Sequence, residues 1–499
     1  MMKKKQIMAM LLSMCMAVPA IAGIPAVSAG AAEEAAAPKY IFLFIGDGMS
    51  FPQIQTTADY LGTTASDGGI ETTALSFMNF PVVGTAQTFD STSFAPDSAS
   101  TATSIATGNK TYSGTINMDT TMTIPFETIA EKLKAQKDYK IGIVTSVNLN
   151  HATPAAFYAH QASRNSYYDI SMELVESGFD YFAGGALLDP TGKEDDPKDD
   201  AYQVAESAGY KVIKTQAEAE ALTAEDGKAI VVAETLADSD AMSYDLDAAE
   251  GEWQLKDYVD KGIEVLDNEN GFFMMVEGGK IDWACHANDA GSTINDTYAL
   301  SEAVASAVEF YNEHPEETLI LVTGDHETGG LTIGFAGTDY DTYLTNLTNQ
   351  KISYAKFDSD YVAGYKENQT PFEEVLKDIK ENFGLMTADD PDATEDSKLV
   401  LTEYEYGKLE DAYNRTLESG KGKKDEMTQE EYLLYGTYEP LSVTITHILN
   451  NKSGISFSSY AHTGLPVPVF ALGAGQDLFE GYYDNTDIYN NMAALTGVE

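Results

Sequence analysis

Cysteine is almost absent from this chain, in which two of 499 residues are cysteines. One of them, Cys15, lies in an N-terminal segment that we expect to be cleaved off, which leaves Cys285 as the single thiol of the mature chain. A single thiol excludes an intrachain disulfide. An exported protein without disulfides must instead be stabilised by its hydrophobic core, by bound metal ions or by oligomerisation.

Positive charge is also scarce. The chain has 30 Lys and Arg against 79 Asp and Glu, which gives a formal net charge of -49 at pH 7. Because such a field repels polyanions, we expect neither nucleic acid nor an anionic membrane surface as a partner. The same field opposes an anionic small-molecule substrate unless cations collect at the binding site. Most of the carboxylates are explained as a solvated surface that aids solubility.

Long apolar runs are absent after the first 32 residues, since none reaches the roughly 20 residues of a membrane span. Before that point, three lysines at positions 3–5 precede an apolar stretch over 7–24 and the small residues 27–29. This pattern predicts a signal peptide over residues 1–29 and a secreted protein, extracellular or periplasmic, with no membrane span in its mature form. Cys15 leaves a lipoprotein as the alternative, which Met14 disfavours because a small residue normally precedes a lipidated cysteine.

Short apolar runs that end in glycine or polar clusters recur along the chain. They are residues 40–45, 139–144, 272–276, 318–322 and 468–472. Helical stretches lie between them, for example 129–136 and 297–312. This alternation is typical of a mostly parallel central sheet with helices on both faces, so we predict a doubly wound α/β fold. In such folds, ligands bind at the carboxyl ends of the strands.

The span 336–455 differs in composition because it is charged and rich in tyrosine. We predict that it is a cap inserted into a catalytic α/β domain, which residues 30–335 and 456–499 form. Its most acidic stretch, residues 388–397, could hold calcium. A solvated loop is favoured there, since the carboxylates show no fixed ligand spacing.

Several histidines stand beside acids or small turn residues. His326 follows Asp325, and Asp282 and His286 share one face of a helix at i, i+4 spacing. His462 comes just before the last predicted strand. Mixed histidine and carboxylate ligands suit zinc, although a single Asp–His pair is usually structural.

Two further acids strengthen this prediction. Asp47, in a Gly-Asp-Gly turn, and Glu277, at a strand end, would each pass alone for an ordinary turn or surface residue. Brought into one cleft with Asp282 and Asp325, they would repel one another unless metal ions neutralised them.

A serine-rich segment supplies a candidate nucleophile. Ser98 lies where a helix should begin, and Gly108 lies where it should end. Backbone N–H groups and the helix dipole at such a start favour a phosphate group, although a serine-rich N-cap alone would be taken as structural. Arg164 can donate two hydrogen bonds to phosphate oxygens, or it is an ordinary surface arginine.

The order of these segments, over nearly the whole mature chain, resembles that of bacterial and animal alkaline phosphatases. The runs that carry the resemblance are Gly46-Asp47-Gly48-Met49, Asp97-Ser98-Ala99, Ala152-Thr153-Pro154-Ala155-Ala156 with Ala159-His160 and Ser163-Arg164, Val276-Glu277-Gly278, Ile281-Asp282 with His286, Gly324-Asp325-His326-Glu327 and His462-Thr463-Gly464. Each run is weak evidence by itself. Together, in the family's order and with matching internal spacing, they are specific.

The resemblance implies hydrolysis of phosphate monoesters to an alcohol and inorganic phosphate, through a phosphoserine on Ser98. It implies Arg164, oriented by Asp97, as the clamp on phosphate, and a homodimer as the assembly. It also implies a pair of Zn2+ ions and a third metal, expected to be Mg2+. The implied ligands are Asp282, His286 and His462 for the first zinc, Asp47, Asp325, His326 and Ser98 for the second, and Asp47, Thr153 and Glu277 for the third metal.

The chain departs from the best known members of that family at two positions. Those members carry Asp where this chain has His151 and Lys where it has Trp283, whereas other members combine His and Trp there. We count His151 among the ligands of the third metal, and the departure leaves the identity of that metal open.

Two alternatives remain. Related metal sites cleave phosphodiesters or sulfate esters, but a third site with Glu277 and Thr153 favours monoesters, and no cysteine nucleophile precedes a proline in the manner of sulfatases. A surface-layer or calcium-binding structural protein could retain an inactive phosphatase fold. Intact Ser98, Arg164 and zinc ligands disfavour that alternative.

Overall fold

The computed structural model describes residues 37–394 and 397–499. The predicted signal peptide, residues 1–29, lies outside the described residues. The strands of the described part are β1 (Tyr40–Gly46), β2 (Val82–Gln87), β3 (Lys140–Asn148), β4 (Tyr181–Gly185), β5 (Gly192–Lys193), β6 (Asp196–Pro197), β7 (Lys211–Ile213), β8 (Ala229–Val232), β9 (Phe272–Gly278), β10 (Thr318–Gly324), β11 (Glu327–Thr328), β12 (Thr332–Ile333), β13 (Ile455–Ser456), β14 (His462–Thr463), β15 (Val467–Gly473) and β16 (Gly481–Asp484).

The helices connect these strands and form about half of the span predicted as a cap. They are α1 (Phe51–Ala65), α2 (Ser98–Thr107), α3 (Ile129–Lys137), α4 (Ala152–Ala155), α5 (Tyr167–Ser177), α6 (Ala201–Ser207), α7 (Gln216–Glu220), α8 (Leu255–Leu266), α9 (Lys280–His286), α10 (Ala290–Glu313), α11 (Tyr354–Phe357), α12 (Ala363–Asn368), α13 (Phe372–Phe383), α14 (Glu403–Glu418), α15 (Gln429–Tyr435), α16 (Pro440–Ser453) and α17 (Thr486–Thr496). Among the helices described, none has both the length and the apolar character needed to cross a bilayer.

Ten strands form one sheet, in the order β16-β2-β15-β10-β1-β9-β3-β4-β8-β7. The predicted mostly parallel sheet is confirmed, because every neighbouring pair is parallel except the two that β15 makes. The run at 468–472 forms β15, the strand that is antiparallel to both of its neighbours, β10 and β2. The chain enters β15 from β14, which lies beyond the carboxyl end of β10, so it must run back through the sheet.

Register sets the level of the acidic residues. The ends of β1, β9 and β10 pair residue for residue, glycine against glycine. Asp47 and Asp325, which follow β1 and β10, therefore leave the sheet side by side, and Glu277 of β9 lies two residues earlier, opposite Ile45. The three central strands thus bring three predicted ligands to one edge.

Helices cover both faces of the sheet, as predicted. Residues 41, 43 and 45 of β1 belong to one buried cluster, to which α2, α3 and α17 contribute. Residues 40, 42 and 44 belong to a second cluster with α1, α8 and α10. Alternation along an apolar strand therefore produces two hydrophobic layers, as a sheet buried on both faces requires.

The span 336–455 has apolar contacts of its own. Apolar residues of α11, α13, α14 and α16 share a third buried cluster, which Ala290 and Ile294 of α10 join. Its two ends meet where Ile333 of β12 pairs with Ile455 of β13. The boundaries at 336 and 455 stay a prediction. The pairing of β12 with β13 shows that the chain segments on either side of this span lie next to each other.

We expect Gly324→Ala to destabilise the protein, because a Cβ at this strand end would lie 1.8 Å from the carbonyl oxygen of Met49. Overpacking against backbone costs about 1–3 kcal/mol of unfolding free energy, measurable by urea denaturation at fixed metal content. The matched control is Gly407→Ala in α14, where a Cβ meets open space and should stabilise the helix by up to about 1 kcal/mol. Equal effects of the two changes would contradict the close approach.

Candidate active site

The first ligand group consists of Asp282, His286 and His462. Helix α9 presents Asp282 and His286 one turn apart and β14 brings His462 to them, so that one ligand atom of each lies within 4.8 Å of the others. Each histidine points Nδ1 at a carbonyl oxygen, that of Tyr460 at 2.6 Å and that of Pro96 at 2.5 Å. When the rings are neutral, as metal binding requires, these contacts place each proton on Nδ1, so the two Nε2 lone pairs face each other at 3.1 Å. A metal ion fits between them because it would accept both lone pairs and the carboxylate.

The second ligand group consists of Asp47, Asp325 and His326, all buried. The Nε2 atom of His326 lies 3.3 Å from a carboxylate oxygen of each aspartate. The hydroxyl of Ser98 joins them, with its Oγ 3.3 Å from Asp47 and 3.2 Å from His326 Nε2. The candidate nucleophile therefore lies directly against this group.

Thr328 connects the two groups, and the sequence patterns gave no role to it. Its hydroxyl donates to Asp282 Oδ1 at 2.6 Å, so its oxygen is left to accept from His326 Nδ1 at 3.2 Å. This arrangement fixes the proton of His326 on Nδ1 and turns the Nε2 lone pair toward the aspartates of the second group.

The third set of predicted ligands lies beside the second group. Thr153 donates to Asp47 Oδ2 at 3.1 Å, and Thr145, another residue that the sequence patterns missed, donates to Glu277 Oε2. The other carboxylate oxygen of Glu277, Oε1, is buried with no hydrogen-bond partner. Asp47, Thr153 and Glu277 offer the hard oxygen atoms that magnesium prefers, and the orphaned oxygen is the position where a cation fits.

His151 faces the phosphate clamp. Its Nε2 lies 3.3 Å from a terminal nitrogen of Arg164, so the lone pair on Nε2 accepts from the guanidinium, and Nδ1 is buried without a partner. The ring of Trp283 packs edge-on against it at 5.8 Å between centroids. Burial, and then the Arg164 charge, lower the pKa of His151 to about 3. Its role as a metal ligand stays a prediction.

The site concentrates negative charge away from water. Burial raises the pKa of Asp47 well above its ordinary value, and Asp325, Asp282 and Glu277 add to the shift. Burial likewise raises the pKa of Asp325 and of Glu277, each to about 7. Asp282 differs, because His286 outweighs burial and holds its pKa well below the ordinary range. Only bound cations would let all these acids be ionised at neutral pH.

Two of the histidines are neutral in this environment. Burial lowers the pKa of His326 to about 4, and burial together with the neighbouring His326 lowers that of His462 to about 4. Neutral imidazole is the form that binds metals.

Helix α2 positions the nucleophile. Its N-cap is Asp97, which accepts from the backbone N–H of Ser100 at 3.1 Å, and Ser98 is the first helical residue. Asp97 also holds Arg164, whose Nη1 atom lies 3.0 Å from the other carboxylate oxygen, Oδ2 of Asp97. Ser98 thus has the positive end of a helix and an anchored guanidinium beside it, which suits a phosphate group.

His160 lies apart from the ligand groups, between Glu131 and Glu173, at 3.4 Å and 3.2 Å. Burial opposes a charge on it, but the hydrogen bonds to the two glutamates prevail and raise its pKa to about 10. Its contacts are those of a structural ion pair.

Comparison with known proteins finds relatives in one enzyme family. The sequence model of one family, alkaline phosphatase, matches residues 38–183 and 178–498. Alkaline phosphatase 3 of Bacillus subtilis (strain 168) is 28% identical over 465 residues, which cover 91% of this chain and 88% of that protein.

Solved structures extend the similarity to three dimensions. A cold-active alkaline phosphatase from the psychrophile Shewanella sp. is 26% identical with a TM-score of 0.73, over 92% of this chain and 99% of that chain. A variant of the alkaline phosphatase of the Antarctic bacterium TAB5 is 25% identical with a TM-score of 0.61, over 93% and 99%. In that variant an aspartate replaces a histidine, and magnesium is bound in the site called M3.

We expect Thr328→Val to weaken metal binding, because valine keeps the shape of the side chain and removes both hydrogen bonds. Loss of a group that orients metal ligands weakens binding about 10- to 100-fold, which competition with a fluorescent zinc chelator measures. Thr332→Val, at an exposed hydroxyl of β12 that contacts the backbone of Ile333, is the control and should leave affinity unchanged. Equal zinc affinity in the two variants would contradict the inference that the Thr328 hydroxyl orients a ligand in each of the two groups.

Proposed function

The chain belongs to the alkaline phosphatase family and is a phosphomonoesterase; from this premise we propose that it transfers the phosphoryl group to Ser98 and then to water. The observation that carries the proposal is the position of Ser98 Oγ, 3.2 Å from His326 Nε2 and 3.3 Å from Asp47 at the start of a helix. A serine in an ordinary N-cap would have no such partners.

We propose that a pair of zinc ions and a magnesium ion are the metals of the site. Asp282, His286 and His462 would hold the first zinc, and Asp47, Asp325, His326 and Ser98 would hold the second. Asp47, Thr153, Glu277 and His151 would surround the third metal. When bound, such ions supply Lewis acidity, which lowers the pKa of an oxygen nucleophile and neutralises a departing oxygen.

Ser98 and the residues around it perform the transfer. Its Oγ forms a bond to phosphorus as the ester bond opposite breaks, and the proton that Oγ gives up to solvent is matched by the one that the departing alkoxide takes up to leave as the alcohol. In the second step a water oxygen bonds to phosphorus and the bond to Oγ breaks. A proton from that water restores the Ser98 hydroxyl, and inorganic phosphate is released. The free N–H groups of α2 and the guanidinium of Arg164 hold the remaining phosphoryl oxygens, and Asp97 keeps that guanidinium in place.

The wider proposal concerns where and in what form the enzyme works. We propose that residues 1–29 direct export and that the mature enzyme is secreted. Residues 30–335 and 456–499 would form the catalytic domain and 336–455 its cap. A homodimer is proposed from the family resemblance, and the substrates are small phosphate monoesters, with no nucleic acid as partner.

Ser98→Ala should abolish the phosphoserine trapped by acid quenching, because the covalent nucleophile is removed, and turnover should fall about a thousandfold or more. Radiolabelled phosphate incorporation at low pH measures the intermediate. Ser104→Ala, which removes a hydroxyl that donates to the Ser100 carbonyl on the same helix, should still trap phosphate. Turnover of wild-type magnitude in Ser98→Ala would exclude Ser98 as nucleophile.

Substrate class separates the proposal from its alternatives. The zinc-loaded enzyme should hydrolyse nitrophenyl phosphate at least about 100-fold faster than the corresponding diester or sulfate. A diester has only two free phosphoryl oxygens for Arg164 and the N–H groups of α2, and a sulfate ester has three free oxygens but carries one negative charge where the phosphate monoester carries two. A diester or sulfate that reacted as fast would point to the other enzyme classes, and no hydrolysis of any of them would point to a structural protein.

The third metal site should depend on His151 and Trp283. The TAB5 variant with aspartate for histidine has magnesium bound in its M3 site. We propose that His151 weakens magnesium binding here because imidazole offers neither charge nor a hard oxygen ligand. His151→Asp with Trp283→Lys should tighten magnesium binding about tenfold. It should also lower the inhibition constant of phosphate about tenfold, because the new lysine places a cation near bound phosphate that outweighs the lost ring contacts to Arg164, and it should shift the pH optimum toward neutral. Titration of both proteins with magnesium and phosphate measures this. Unchanged constants would leave the two residues with a packing role.

A further inference from the structure

A fully buried lysine lies behind the active site. Lys280 is the first residue of α9, the helix that carries Asp282, and none of its side chain is exposed. Its ammonium group lies 2.5 Å from Asp238 Oδ1, 3.9 Å from the ring centroid of Tyr244 and 4.6 Å from that of Trp283. Burial of a charge is unfavourable, and here the Asp238 carboxylate, the nearby buried Asp296 and two aromatic faces offset it.

The contacts continue from Trp283 to the phosphate clamp. The Trp283 ring packs edge-on against His151, with 5.8 Å between centroids, and His151 Nε2 lies 3.3 Å from Arg164. Asp97 holds the other side of the same guanidinium. The guanidinium of Arg164 is therefore fixed on one side by its ion pair with Asp97 and on the other by the ring of His151. The ring of Trp283 packs against His151, and Lys280 lies over the ring of Trp283.

We propose that Lys280 is a positioning residue of the phosphate site. Through its cation–π contact it holds the Trp283 ring against His151, and so fixes the side of Arg164 that Asp97 does not hold. The proposal rests on the proposed function for its phosphate ligand, but the fixed Trp283 ring can be tested without it.

A simple packing role would not need a charge. The surrounding cluster contains Tyr244, Tyr354, Ala284 and Ala287, so a methionine at position 280 would fill the same space without the cost of desolvating an ammonium group. What methionine lacks is a cation that fixes one face of Trp283 at a set distance from Asp238. The presence of lysine at position 280 therefore indicates that its charge, which sets the position of the Trp283 ring, matters more than the volume of its side chain.

The chain has two tryptophans, so Trp253→Phe leaves Trp283 as the sole reporter. In that background, the metal-loaded full-length enzyme is compared with its Lys280→Met and Lys280→Arg variants. Acrylamide quenching of fluorescence reports how firmly the ring is held, and calorimetric titration with inorganic phosphate reports the clamp. We expect Lys280→Met to raise the quenching constant about twofold or more and to weaken the binding of phosphate about fivefold. Lys280→Arg should keep both the quenching constant and the phosphate affinity near those of the parent.

Lys261→Met is the matched control. Lys261 is also a buried lysine, held by Glu264 at 2.6 Å and by two carbonyl oxygens, but it lies on α8. Its loss should lower the melting temperature and leave quenching and phosphate affinity unchanged. If Lys280→Met does not fold, Asp238→Asn loosens the same ammonium group and should shift both readings in the same direction.

Three outcomes would overturn the proposal. They are unchanged quenching in Lys280→Met, unchanged phosphate affinity with altered quenching, and an equal change in Lys261→Met. A parent enzyme that binds no phosphate would instead contradict the proposed function, and quenching would still show whether Lys280 holds Trp283.

Discussion

The structure depends on one electrostatic constraint, which is that Asp47, Glu277, Asp282 and Asp325 are buried together. Carboxylates removed from water and placed side by side cannot all be ionised unless positive charge is placed among them. In the described residues the guanidinium of Arg164 is the cation that faces Asp47, and it is already paired with Asp97. Metal ions satisfy this constraint, and the neutral histidines that face the acids are the ligands that would help to hold them. The same ions would let an enzyme with a net charge of -49 accept an anionic substrate.

The sheet creates this constraint, and most of the sheet could be predicted from the sequence. Apolar runs bounded by glycine predicted the central strands, and the rule that ligands bind at carboxyl ends predicted the edge where the acids meet. Equal register of β1, β9 and β10 then brings Asp47 and Asp325 to one level and Glu277 to the same edge, two residues earlier. The fold and the identity of the acids followed from local patterns because both are encoded by residues adjacent in the chain.

The remaining features depend on contacts between distant segments, which local patterns do not encode. The direction of β15 follows from where the chain leaves β14, and periodicity is the same for either direction. Thr328 became recognisable only when α9 brought Asp282 to its hydroxyl. No pattern in the sequence marks Lys280, and only the fold shows that it is buried between aromatic rings. His151 was counted as a ligand, and the structure shows its Nε2 against Arg164.

The most direct test of the central claim is the thermal stability of the enzyme as its metal content is varied. Calorimetric unfolding is recorded for the protein stripped by a chelator, for the stripped protein with zinc and magnesium restored, and for the untreated protein. Ions that bind only the folded state stabilise it by mass action, so restored metal should raise the melting temperature by about 10 °C or more and return activity in parallel. A stripped protein that melted at the temperature of the untreated one would contradict the account, because the buried acids would then be stable without cations.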